Sequence, residues 1–221
     1  MAIASGNKTY IGTVPNATTY THSAHSQDTG SGGFMVVVVA SVADFGQTIS
    51  GVTWNGTSMT QMQQDTISSD GQNTRLAFFK LANPATGTHD LVTTWSSSML
   101  YGVSIQIFSF TGAQDGGNSL LGTPSNTPNI QTMSMTTNSI ILGLAISRYT
   151  LSTIELPQGT ARTFLTNTQI YLAQVASAIS PSLNLSGTQT FEVNSNSNQV
   201  SLSLVEIKEG VVLTNRRIII I

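Results

Sequence analysis

Two histidines three residues apart with a carboxylate close behind are spaced as ligands that could share one divalent metal ion, and this chain has one such set in His22, His25 and Asp28. Ser, Gly and Gln crowd the segment 21–33, so the expectation is a solvated loop, with no metal and no cofactor. His89 and Asp90 follow a Gly-containing turn and are expected as a surface pair on an edge strand, not as an acid–base dyad. Glycoside hydrolysis would need two of the ten Asp and Glu residues to converge. Asp65, Asp70, Asp115 and Glu209 instead sit in loop-like contexts. A G-x-S-x-G nucleophile elbow is absent, and so is cysteine, which removes thiolate nucleophiles, thiolate metal sites and disulfides. The sequence therefore reads as a protein that is not an enzyme.

Sugar recognition is the other chemistry to weigh. Sandwich lectins use exposed aromatic rings as platforms, and Trp54, Trp95, Tyr101, Tyr149 and Tyr171 are available; the first four are the candidate glycan contacts. Trp54 and Trp95 lie in strand-like patterns, where burial is the commoner fate of an indole. A calcium site around Asp115 in 114–118 would have a single acidic residue to build on.

The end of the chain carries a different signal. Arg216 and Arg217 precede Ile218, Ile219, Ile220 and Ile221. Each isoleucine gains roughly 1.5–3 kcal/mol when its side chain is buried, so a solvated terminus of this kind is costly. The stretch is far shorter than the roughly 20 apolar residues of a membrane-spanning helix. Two readings remain, a last strand of the same domain or an arm that pairs with a neighbouring subunit. Gly210 breaks the strand pattern just before it, which favours the arm.

Composition narrows the class. Charged residues make up 8% of the 221, against about 25% in an average globular protein, with Ser, Thr, Asn, Gln and Gly in their place. Such a neutral polar surface suits secreted β-proteins, adhesins and virion proteins. A net charge of −2 provides no broad cationic face for phosphates, so nucleic acid is not an expected partner, and neither is a membrane. The first residues lack a charged segment followed by an apolar run, so no signal peptide is expected.

Short alternating or β-branched runs bounded by Gly, Asn, Ser or Pro fill the chain, and no helical periodicity is sustained. Expected strands are 9–14, 34–42, 51–54, 59–64, 74–81, 89–95, 100–110, 130–135, 139–147, 160–165, 170–178, 190–193 and 199–207. In 139–147, Ile140, Leu142, Leu144 and Ile146 alternate with smaller residues, as on a strand with a bulky inner face and a small outer one. Four valines in a row, Val36 to Val39, indicate a strand covered on both faces or lying centrally. In 199–207 the apolar phase slips at Val205, as a one-residue bulge would cause. Asn55-Gly56 predicts a type I′ hairpin joining 52–54 to 58–62, and 83–87 a tight turn that sets its flanking strands side by side. The stretch 114–129 is the longest expected loop.

The run from Val52 through Trp54, Asn55 and Gly56 to Met62, the turn Leu81-Ala82-Asn83-Pro84-Ala85-Thr86-Gly87, and the strand ending Phe110-Thr111-Gly112 together resemble a recurring β-sandwich module of phage virion proteins and bacterial secreted proteins. The resemblance covers about half the chain and extends weakly to Val205–Lys208. It implies a jelly-roll-like sandwich with a surface, non-enzymatic role, and carries no catalytic residues with it. The expectation is therefore an all-β protein: one large antiparallel β-sandwich over 1–209, with an apolar arm over 210–221. Function is expected to be that of a phage virion structural protein, a capsid decoration, cement, tail or fibre subunit. It would form a homo-oligomer, with a trimer favoured, and contact other virion proteins. The alternative is a secreted or cell-surface carbohydrate-binding or adhesin module that meets a host-surface glycan.

Overall fold

The computed structural model describes residues 4–13, 17–27, 33–42, 47–69, 72–98, 103–120, 122, 128–147, 151–156, 161–162, 165–170, 173–180, 185–195 and 200–209. Asp28, Tyr101, Tyr149, Tyr171 and the arm, with Arg216, Arg217 and Ile218 to Ile221, lie outside them.

Every described element is a strand: β1 Ala4–Thr13, β2 Thr19–Gln27, β3 Phe34–Val42, β4 Ile49–Trp54, β5 Thr57–Ser58, β6 Thr60–Ser69, β7 Gln72–Ala82, β8 Gly87–Trp95, β9 Val103–Thr111, β10 Ala113–Leu120, β11 Asn129–Ser147, β12 Leu151–Glu155, β13 Ala161–Arg162, β14 Thr166–Ile170, β15 Ala173–Ile179, β16 Leu185–Ser195 and β17 Val200–Glu209. The protein is all-β, and its antiparallel sheets pack face to face as in a sandwich. Three sheets take part where the sequence suggested two layers. A five-stranded sheet runs β1-β9-β3-β7-β6, and a four-stranded sheet runs β2-β8-β4-β5. An eight-stranded sheet runs β10-β17-β11-β16-β12-β13, with β15 and β14 attached through β11.

The five-stranded sheet is the middle layer. Val36 and Val38 face the eight-stranded sheet, in a core with Phe78, Phe108, Ile140, Leu142, Leu144, Val205 and Ile207. Val37 and Val39 face the four-stranded sheet, in a core with Phe79, Ile105, Ile107, Val52, Trp54, Leu91 and Trp95. All four valines are at most 1% exposed, because apolar layers cover both faces of their strand. Side chains from both halves of the chain fill the first of these cores.

A third core lies on the far side of the eight-stranded sheet. It joins Ile141 and Ala145 to Met133, Met135, Leu156, Phe191, Leu202 and Leu204. The small face of β11 is therefore an inner face too, and it is small because Leu156 presses on it: a Cβ placed on Gly143 would lie 3.0 Å from Leu156 Cδ1. The phase slip on β17 has the same origin. Leu202 and Leu204 belong to the third core, Val205 and Ile207 to the first. Pairing of β17 with β11 runs in unbroken register from Val200 to Lys208, so the strand changes which core it fills without bulging. The irregularity falls on its other neighbour, β10, between Gly116 and Ser119.

Three further expectations are corrected. The Asn55-Gly56 hairpin forms, with positive φ at both residues, yet its pairing is short: Thr53 faces Ser58, Trp54 faces Thr57, and the Met59 N–H donates to the Val52 carbonyl at 2.9 Å. Beyond buried Met59 the chain crosses to the middle layer and pairs with β7. The 83–87 turn also connects layers: β7 lies in the middle sheet, whereas β8 pairs with β2 and β4. Finally, the start of the expected long loop is β10, the edge strand paired with β17.

Candidate functional site

The four-stranded sheet collects the chain's three histidines. On a regular strand His22 and His25, three apart, would point to opposite faces. An irregularity between them, with Ala24 at φ 63°, removes that difference. His22 then stands opposite Leu91 and His25 opposite His89, two positions on the same face of β8. The segment expected as a solvated loop is thus a strand through Gln27. What holds the irregularity is Asp90, whose Oδ1 accepts the Ala24 N–H at 3.1 Å.

His22 and His89 are already engaged. His22 is 5% exposed, stacks at a tilt on Tyr20, and places Nε2 3.4 Å from Thr93 Oγ1, which also accepts the Trp95 indole N–H at 3.3 Å. Burial, with a smaller contribution from the charge of His25, lowers its pKa from 6.5 to about 4. Burial also lowers the pKa of His25, and the Asp90 carboxylate opposes that shift. His89 donates from Nε2 to the Thr86 carbonyl at 2.8 Å and meets Trp54 edge-on at 5.6 Å. Among the described residues, no group of three or more His, Cys, Asp or Glu side chains is placed to hold a metal ion.

The candidate sugar platforms are corrected here. Trp54 and Trp95 are buried in the core between the middle and four-stranded sheets, with Trp54 Nε1 donating to the Ala85 carbonyl at 2.9 Å. Neither ring offers a face to a ligand, because each fills the space between two layers. Tyr101 and Tyr149 fall outside the described residues, as does the arm.

The opposite face of the same sheet carries a feature the sequence did not disclose. β8 is an interior strand, not the expected edge, and its residues alternate: Leu91, Thr93 and Trp95 are buried while Thr88 and Asp90 are exposed. With Thr53, Val92 and the Asn55-Gly56 turn, Thr88 and Asp90 line an open depression of about 370 Å³, and His89 touches its rim. The turn is fastened to this strand by the Asn55 N–H, which donates to the Asp90 carbonyl at 3.0 Å. In sequence the only trace is Thr88, Asp90 and Val92 at every second position; that 53–55 lies beside them is set by strand order.

No family model, curated protein or solved structure matches this chain.

Proposed function

We propose that this protein is a non-enzymatic structural subunit of a phage virion, a capsid decoration, cement, tail or fibre component. In this reading it assembles into a homo-oligomer, a trimer by preference, and onto other virion proteins through β-strand contacts and its C-terminal arm. One observation carries the proposal. Four successive β-branched apolar residues, Val36 to Val39, occur in this fold where a strand has apolar layers on both faces. Ile218 to Ile221 repeat that pattern in the sequence after Glu209. A strand so composed is satisfied by cover on both sides, which strand addition within a neighbouring subunit supplies. The sparse charge and neutral polar composition suit a particle surface.

The test is incorporation. A chain ending at Glu209, co-expressed with the remaining particle components, should fold and be missing from purified particles. Normal copy numbers of the shortened chain in particles would refute the arm's role.

A second reading, a secreted or cell-surface carbohydrate-binding or adhesin module, draws support from the polar depression on β4 and β8. Its ligand contacts would be hydroxyl, amide and carboxylate groups in place of indole rings.

A further inference from the structure

We infer that the depression beside the Asn55-Gly56 turn is a binding site for one residue of a neutral glycan. The inference uses β4 and β8 alone and holds whether or not the C-terminal arm mediates assembly.

The lining selects the ligand class. Thr53 and Val92 are directly paired across β4 and β8, so their side chains lie together on the outward face and form a floor. Thr88 and Asp90 stand on the same face of β8, and Asn55 closes the end at the turn. Asp90 brings the one formal negative charge to this lining, which disfavours phosphates, sulfates and carboxylates. A lone carboxylate is also a poor cage for a divalent cation, which takes several oxygen ligands. An apolar ligand would strip water from hydroxyl, amide and carboxylate groups without replacing their hydrogen bonds. A sugar meets all of these demands. Its hydroxyls donate to the carboxylate in charge-assisted bonds, exchange hydrogen bonds with Asn55 and the two threonines, and set a C–H face against Val92.

Asp90 is held through its side chain before any ligand arrives, and Asn55 through its backbone. Asp90 is fixed through its side chain by the Ala24 N–H and through its carbonyl by the Asn55 N–H. Asn55 is fixed in the left-handed conformation of the turn, at φ 47°. Such pre-ordering lowers the entropic cost of binding. At about 370 Å³ the depression is at the small end of ligand sites, and its open shape suits one sugar of a longer chain that continues into solvent.

Saturation-transfer NMR on the full-length protein provides the test, with the methyl glycosides of glucose, mannose, galactose and N-acetylglucosamine as probes and N-acetylneuraminic acid as the anionic comparison. At least one neutral glycoside should give a signal, and the anionic sugar none. Asp90→Ala should weaken that binding by about tenfold or more, the usual effect of losing a charge-assisted hydrogen bond. Because Asp90 also holds β2, a second variant is needed. Asn55→Gly keeps the positive φ of the turn, removes the amide, and should weaken binding with the melting temperature retained. Absence of signal from all four neutral glycosides, stronger binding of N-acetylneuraminic acid, or unchanged affinity in a folded Asn55→Gly variant would each overturn the inference.

Discussion

Glu206, fully buried on β17, accepts a hydrogen bond from Ser139 Oγ of β11 at 2.7 Å. The same carboxylate oxygen accepts from Thr136 Oγ1 and from the Thr136 N–H, each at 2.7 Å. These donors sit where β11 changes partners. Its first half pairs with β16 through Met135 and, after a register shift, at Ser139; Asn138 takes φ 60°, and from Ser139 onward the strand pairs with β17. The buried carboxylate thus fastens the corner at which one long strand passes from one part of the sheet to another.

Glu206→Gln, which keeps an oxygen acceptor but changes its strength and geometry, should lower stability by about 0.5–1.5 kcal/mol, the net value of a typical intramolecular hydrogen bond. Glu206→Leu should cost more, since the two Thr136 donors and Ser139 Oγ all lose their acceptor and Ser139 is fully buried. Urea unfolding followed by circular dichroism measures both; unchanged midpoints would show that the corner is held by packing alone.

Gly143 is required by Leu156. An added methyl would sit 3.0 Å from Cδ1 and 3.1 Å from Cδ2 of a side chain that is itself fully buried. Gly143→Ala should destabilise by about 1–3 kcal/mol through overpacking. That exceeds the 0.4–1 kcal/mol or so gained by restricting the unfolded chain. Combining it with Leu156→Val should cost less than the sum of the two single changes, which a double-mutant cycle in urea detects.

His22 makes stability fall in mild acid. Its pKa is lowered to about 4 in the folded protein, so it stays neutral there, while the unfolded chain takes up a proton from about 6.5 downward. The unfolded state gains that binding energy between the two values, and above 6.5 the contribution vanishes. Relative to a His22→Gln variant, the wild type should lose stability as the pH drops from 7.5 to 4.5. Parallel stability curves for the two proteins would show that His22 does not titrate differently on folding.

Some of this architecture was legible in the sequence because its causes are local. Four adjacent valines can only be buried from two sides, and Asn55-Gly56 supplies the positive φ values its turn needs. Other features depend on which layer a strand joins, and no local pattern encodes that. The run after Gly56 looks like one hairpin strand, yet Thr57 and Ser58 pair with β4 while β6 leaves for the middle sheet. The phase change at Val205 mimics a bulge because β17 faces apolar layers on both sides and serves them in turn. At the candidate glycan site, the threonines and Asp90 were visible as residues. Their assembly with Asn55 was not, since it depends on β4 and β8 lying side by side.

Light scattering on the purified full-length chain and on a chain ending at Glu209 decides whether residues 210–221 join subunits. An oligomer is expected for the first and a folded monomer for the second. Equal masses for the two would contradict it, and if both were monomers the isoleucines would be folded against their own sheets.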